Sequence, residues 1–526
     1  MFPEAWRSMR EEDKPHYPHE LQAQLEALKT DAQLRDFAAI RKRMQEDPYR
    51  PIYHFTRPDG RLNDPNGLCF WQGKWHLFYQ AVDRDAKDGL IHWGHAVSED
   101  LIRWKDLPFA LYPGVEHDCY SGACYVEENR VIAAYYGYTE KRDCGIMLAE
   151  SSDPLLLNWK KLNNGRPVIP APSPDEKKPY ATFDAYLWRE KETYYLISGE
   201  IEKLPVTGRP ARCEYLFRSH NLTDWEYLHP FIEGDRFDEP GDDGACPYFL
   251  PMGDKHMLLH FSHRRMPKYL VGQYDREKMK FIPCGGGKIT SGFCTLTAPS
   301  AAPLPDGEAV VLFNMQEARP SPKWREILTL PRKIAPGGAF GDELSFSPAG
   351  DIDSLHEAHV FLTGRKLKPG EEHILSGITG NALEMRYRFR LCPGSGMEFR
   401  VLRSPGAEEY TRILFSFMTG EHAGKGGMGP IKSMIAIDTT HASLLEDVSV
   451  RMPEMNQVTI EREEEIDIRI FLDRSVVEVF VNDRQCVCQR VYPSREDSLG
   501  VSLKALGREA EWIGADAWKM KSIWEE

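Results

Sequence analysis

Beyond residue 50 the chain alternates short apolar, aromatic-rich runs with polar turns, a pattern that predicts strands rather than helices. Five of these runs follow a polar turn and resemble one another: GKWHLFYQ (73–80), NRVIAAYYGY (129–138), KETYYLISGE (191–200), DKHMLLHFSH (254–263) and GEAVVLFNMQ (307–316). They begin 53 to 63 residues apart. A second element follows the first three: HAVSEDLIRW (95–104), LAESSDPLLLNW (148–159) and FRSHNLTDWEYL (217–228). Each runs from Ser through a Leu-containing turn to Trp. A shorter strand precedes each aromatic run, as in LNDPNGLCFW, CYSGACYVEE and TFDAYLWR. Repeats of this length with about four strands apiece predict a β-propeller of five blades, because a lone blade cannot bury its second face and a closed ring can.

Two segments depart from the repeat. Residues 18–46 carry helical spacing, with Leu21, Leu25 and Leu28 on one face and Phe37, Ile40 and Met44 on the next. Thr30 and Asp31 are placed to cap the second helix. The reading is a helical extension over 1–50, either packed on the main domain or serving as a dimerisation arm. After about residue 335, PGGAFGDELSFSPAGD reads as a linker. Alternation then resumes in LEMRYRFRL (383–391), VTIEREEEIDIRIFLD (458–473) and SVVEVFVNDRQCVCQRVY (475–492), with a hairpin turn at 481–484. The predicted architecture is all-β: a five-bladed β-propeller over 51–335 and a C-terminal β-sandwich over 345–526.

Composition narrows the partners. At 526 residues the chain is too long for one ordinary domain. Its 66 basic against 80 acidic side chains leave a net charge of −14, which argues against nucleic acid and anionic membranes as partners. No apolar run is long enough to span a bilayer, and the first twenty residues lack the apolar core of a secretory signal. The eleven cysteines are scattered without a CxxC pair, so neither a zinc ribbon nor a thioredoxin-like site is expected, and Cys486 and Cys488 read as core. A cytoplasmic protein is expected, with no cofactor. His92 and His95 form a bare HxxH with no carboxylate at ligand spacing, and Gly285–Gly287 lack the helix and Lys of a phosphate loop.

In a propeller the innermost strand of each blade lines a central channel, its first residues lying at one mouth. Asp64, Ser121, Asp184 and the stretch 242–245 occupy those positions. Several acids converging on an aromatic-rich pocket suit glycoside hydrolysis, where one carboxylate attacks the sugar or activates water and another protonates the leaving oxygen.

At this point HFTRPDGRLNDPNGLCFWQGKWHLFYQ (54–80), HWGHAVSEDLIRWKDLP (92–108) and LDRSVVEVFVNDRQ (472–485) resemble glycoside hydrolase family 32, the invertases, fructanases and inulinases. The resemblance spans about residues 51–526. It implies a propeller joined to a sandwich, and retaining hydrolysis of β-fructofuranosides. By position Asp64 resembles the nucleophile and Asp184 the acid that stabilises the transition state. Asn63, Gln80, Tyr120 and Ser121 resemble fructose-binding residues, and Trp93 is grouped with them.

Three positions depart from the family pattern. Arg-Asp-Pro becomes Phe183-Asp184-Ala185, and Glu-Cys-Pro becomes Ala245-Cys246-Pro247, so the acid/base Glu is replaced. A pocket Trp has no counterpart in AVDRDAKDGLI (81–91). Losing all three fits a divergent enzyme or a binding protein without catalysis better than a single engineered change. Strand geometry singles out Asp243 as the substitute acid, because residues two apart share a face and Asp243 would stand beside Ala245, with Asp242 pointing away. Glu239 and Glu200 are the remaining candidates. The expected substrate is a short, imported β-fructofuranoside, with a fructosyltransferase or a furanosidase of altered specificity as the alternatives among enzymes.

Overall fold

The computed structural model describes residues 14–524 except 83–89, 140–141, 174, 205, 235, 265, 293–294, 322, 339, 418–430 and 462. α-Helices occupy only Leu21–Leu28 and Ala32–Met44 among the described residues. Asp31 caps the second helix, its side chain accepting from the Leu34 N–H. Phe37, Ile40 and Met44 are buried as expected, but Leu21 and Leu25 are exposed and Gln24 is the buried residue of the first helix. The Gln24 amide bonds the Asp153 carboxylate at 2.7 Å, so a polar anchor, not a leucine face, seats that helix. Arg41 grips Asp106 through two nitrogens and lies 3.5 Å above the Trp524 ring. The extension is therefore folded onto its own chain.

The next strands form five sheets. Blade I contains Gly60–Trp71, Lys74–Val82, His92–Ser98 and Trp104–Leu111. Blade II is built on Asp118–Val126 and Val131–Thr139, blade III on Ala185–Glu190 and Thr193–Lys203, blade IV on Ala245–Met252 and Lys255–Phe261, and blade V on Leu296–Pro303 and Ala309–Met315. The first strand of each blade contacts the first strand of the next, and that of blade V contacts that of blade I, which closes the ring. A short strand from the blade V segment, Trp324–Arg325, pairs in parallel with Gly60–Arg61 and fastens the closure. The five aromatic runs are the second strands. The Ser…Trp element is the turn into the fourth strand, where Leu101, Leu156 and Leu222 all adopt positive φ. Asp100, Asp153 and Asn221 cap these turns through backbone N–H groups.

The boundary at residue 335 needs correction. Arg332–Gly337 and Glu343–Pro348 pair as a hairpin and complete blade V, so the stretch read as a linker is a strand pair around a glycine-bearing turn. Its Gly and Pro residues mimic linker composition, but Leu344 and Phe346 are buried and the Phe346 N–H bonds the Arg484 carbonyl of the sandwich. The sandwich follows, with two six-stranded sheets that begin with His356–Leu367 and Glu372–Thr379. Tyr387, Phe399, Phe415 and Ile470 fill the space between the sheets. The turn at 481–484 is the expected hairpin, with Asn482 and Asp483 both at φ 50°.

Propeller and sandwich meet across a buried ionic junction. His54 bonds Asp473 through Nδ1 (2.8 Å) and Glu478 through Nε2 (3.1 Å), and Arg332 reaches the other oxygen of Glu478 at 2.8 Å. Asp473 also accepts the backbone N–H groups of Ile52, Tyr53 and His54. Cys486 and Cys488 are buried at this junction, the latter 3.2 Å from Arg332.

Candidate active site

Four of the five innermost strands break register near their starts, with two extra-facing residues opposite one on the second strand. The bulges fall at Asn63–Asp64, Tyr120–Ser121, Cys246–Pro247 and Thr297–Ala298. A bulge re-aims the side chains it carries. Here three of them turn polar groups from blades I, II and IV toward one end of the ring axis.

Asp64 sits at the centre of this arrangement. Its Oδ2 accepts from Ser121 Oγ (2.5 Å) and Gln80 Nε2 (3.3 Å), and Gln80 also bonds Ser121 at 2.7 Å. Asn63 Nδ2 fixes Gln80 through its Oε1 at 2.6 Å. Every described bond to the Asp64 carboxylate goes to Oδ2, so Oδ1 is left for chemistry. Asp184, on blade III, faces Asp64 across Cys246. The Cys246 N–H donates to Asp184 Oδ2 at 2.8 Å, and its sulfur lies 3.4 Å from that oxygen and 3.9 Å from Asp64 Oδ2. Cys246 holds φ 49°, the left-handed conformation that aims its N–H inward.

Two carboxylates this close and this buried resist ionisation. Burial raises Asp64 above the usual carboxylate range, against the bond from Ser121. Burial together with the charge of Asp64 pushes Asp184 up to about 7, against the Cys246 N–H. Burial and the same two carboxylates keep Cys246 a thiol.

This pair carries a stability consequence. A folded-state pKa above the unfolded one means that the native state loses stability as pH rises from about 4 to 7. Asp184→Asn keeps an acceptor for Cys246 and removes the charge. It should stabilise the fold by about 2–4 kcal/mol at pH 7.5, with the gain vanishing near pH 4. Denaturant titrations at the two pH values read this directly, and an equal gain at both would refute the charge argument.

Aromatic rings line the entrance. Tyr120 stacks on Tyr136 (6.2 Å) and against Tyr138 (5.4 Å), Tyr136 meets Phe183 (5.3 Å), and Phe183 faces His263 (6.5 Å). Blades III and IV approach so closely that a Cβ on Gly199 would lie 1.7 Å from the Gly244 carbonyl oxygen. The Gly199 N–H in turn bonds the Asp184 carbonyl at 2.9 Å.

Asn63, Asp64, Gln80, Tyr120, Ser121 and Asp184 thus come together as the sequence indicates. Trp93 does not. It is fully buried, packed on Phe78 and Tyr135, and its Nε1–H holds the Tyr120 carbonyl at 2.9 Å. A third-strand residue points between blades, so Trp93 supports the site from behind and cannot touch a sugar.

Asp243 also differs from its reading. The strand begins at Ala245, so regular alternation does not extend to 243. The Asp243 carboxylate is committed to His263, accepting from its Nδ1 (3.1 Å) and its backbone N–H (3.3 Å). Asp242 is buried against Lys268 at 2.5 Å. Glu239 binds Lys268 and Lys288, and Glu200 accepts from the Ile201 N–H. The segment 83–89, which spans most of the stretch lacking a pocket Trp, lies outside the described residues.

Sequence reasoning reads His263, with His260, as satisfying core hydrogen bonds or lining the channel, and gives no role to Cys246 or to Asn314, whose Nδ2 holds the Asn63 carbonyl at 2.9 Å. The hairpin turn near Gly253 predicts the pairing of this blade, but the bulge at Cys246–Pro247 shifts it by one residue. That shift sets 263 across from 243 and cannot be read from spacing. His95 pairs with His76 at 2.9 Å, and His92 lies on Phe109. Among the described residues one trio could reach a single ion, Asp353, His356 and Glu384 in the sandwich, where Arg469 already binds both carboxylates.

Comparison with known proteins agrees with this geometry. The family description "Glycosyl hydrolases family 32 N-terminal domain" matches residues 54–348, and "Glycosyl hydrolases family 32 C terminal" matches 353–519. The levanase of Bacillus subtilis is 26% identical, over 91% of this chain and 71% of its own. A sucrose-6-phosphate hydrolase of Zymomonas mobilis is 25% identical, over 91% and 94%. The fructan 1-exohydrolase IIa of Cichorium intybus shares the fold with a TM-score of 0.78 at 22% identity, covering 91% of this chain and 98% of that one.

Proposed function

The chain belongs to glycosyl hydrolase family 32, and from that premise we propose that it hydrolyses short β-fructofuranosides with retention, Asp64 acting as nucleophile. The observation that carries this reading is the convergence of Asp64 and Asp184 around Cys246, with Ser121 and Gln80 holding Asp64 Oδ2. In the first step Asp64 Oδ1 forms a bond to the anomeric carbon as the glycosidic C–O bond breaks and the leaving oxygen takes a proton. In the second, water attacks that carbon and releases the Asp64 carboxylate. Asp184 places negative charge beside the developing oxocarbenium ion. Asn63 and Tyr120 stand where hydroxyls and the ring face of the sugar would meet them.

The substrate class follows from the relatives, which are named for levan, fructan and sucrose 6-phosphate. A cytoplasmic setting fits the buried thiols of Cys69, Cys119, Cys213, Cys246, Cys486 and Cys488, none of which is held in a disulfide. Incubation with sucrose, sucrose 6-phosphate, 1-kestose, levan and non-fructose furanosides, with product analysis, tests the reading. Release of fructose from the short substrates, and methyl β-fructofuranoside when methanol is added, is the expected result. Turnover confined to a non-fructose furanoside would reassign the sugar, and transfer to a second sucrose in place of water would make the protein a transferase.

A further inference from the structure

With Ala245 where the resemblance expects an acid/base Glu, the proton for the leaving oxygen needs another source. We propose that His263, held by Asp243, is the proton donor and acceptor of this site. This rests on the fructofuranosidase reading and deepens it.

The placement follows from the strand register. Ala245 pairs with Phe261 across the first two strands of blade IV. Extending that pairing outward sets Asp243 opposite His263, and the observed bonds between them confirm the alignment. His263 therefore stands two residues beyond the partner of Ala245, at the outer end of the apolar cluster that contains Ala245 and Phe261. Its ring lies against Phe261 at 4.9 Å and faces Phe183 at 6.5 Å. Phe183 and Ala245 are two of the changed motif positions, and they share one apolar cluster with Cys246 and Phe261. A phenylalanine in place of Arg removes a cation that would repel imidazolium and supplies a flat face for the ring. The three features form one local set.

The acid/base chemistry is balanced on this pair. With Asp243 accepting from Nδ1, the tautomer is set and Nε2 is the nitrogen left to exchange a proton. Imidazolium Nε2–H gives its proton to the glycosidic oxygen while Asp64 Oδ1 bonds the anomeric carbon. The neutral ring then takes a proton from the attacking water, and the imidazolium is restored as Asp64 is released. The charged groups facing His263 favour the cation. The bond to Asp243, then the charges of Asp243, Asp184 and Asp64, raise its pKa against partial burial. The neighbouring Arg264 packs its Cδ 3.2 Å from the Cβ position of Gly241. A general acid so poised typically contributes about 10²–10⁴-fold.

The test compares sucrose with an aryl β-fructofuranoside, whose leaving group departs without a proton, in the wild type and in His263→Gln, Asp243→Asn and Glu239→Gln. His263 is exposed at the cleft mouth, so its replacement leaves the fold intact, and thermal melts verify that. His263→Gln should lose about 10²-fold or more on sucrose and much less on the aryl glycoside, and should lose the alkaline limb of the kcat/KM profile. Asp243→Asn should move that limb to lower pH, a change that a merely structural role would not produce. Glu239→Gln should match the wild type. If the wild type turns over neither substrate, the fructofuranosidase reading falls and takes this inference with it. If the wild type is active but His263→Gln loses equally on both substrates, or on neither, the dyad is refuted and the fructofuranosidase reading stands.

Discussion

Asp64→Asn should abolish turnover, with kcat falling by at least about 10⁴-fold while sugar binding is retained. The amide keeps the shape of the side chain and can still meet Ser121 and Gln80, which lie 2.5 and 3.3 Å from Oδ2. It cannot attack an anomeric carbon. The variant should also melt higher than the wild type at neutral pH, because burial penalises the charge it removes. Loss of activity with a higher melting temperature separates a missing nucleophile from a damaged fold. Rapid-quench mass spectrometry of the wild type completes the case by locating a fructosyl adduct on the peptide carrying Asp64. An active Asp64→Asn enzyme, or an adduct elsewhere, would overturn the assignment.

The second large effect lies far from the cleft. Glu478 is fully buried and answers His54 and Arg332 at once, and its Oε1 also accepts the Leu330 N–H at 2.7 Å. Glu478→Leu would leave Arg332 and the Leu330 N–H buried without their acceptor, and His54 with Asp473 alone. Removing one partner of a buried ion pair costs about 3–5 kcal/mol. The pH dependence has a defined sign. Hydrogen bonds to Asp473 and Glu478 overcome burial and raise His54 to about 8, so its contribution is full below about 6.5 and is lost as pH rises through 8. Arg332 and His54 hold Glu478 below the usual range, so its contribution is present above about 4.3 and is lost in acid. The junction's contribution to stability should therefore peak between those limits and decline toward pH 9, and Glu478→Leu should remove that alkaline decline. Denaturant melts across the range measure both, and an undiminished alkaline decline in the variant would remove His54 from the account.

The parts of this protein legible in its sequence were those carried by local pattern. The five aromatic second strands showed as a repeat because each must bury both faces between neighbouring blades, which favours apolar and aromatic residues over most of their length. The Ser…Trp turns repeated because each needs a capping side chain and a Leu at positive φ. Asp64 and Asp184 could be singled out because propeller topology brings the starts of the first strands together wherever they fall in the chain. Composition misled where it imitated something else. The Gly-rich outer hairpin of blade V resembled a linker, and the leucines of the first helix promised a buried face that Gln24 occupies.

By itself, then, the sequence determined the all-β architecture, the ring of blades, the sandwich and the pair of carboxylates, since periodicity and topology follow from which residues must leave water. Tertiary structure alone decided which way individual side chains near the cleft point. A one-residue bulge reverses every side chain beyond it, and bulges depend on contacts between blades rather than on the residues that form them. That is why Cys246 stands between the two acids, and why His263 and not Asp243 presents a titratable proton to the cleft.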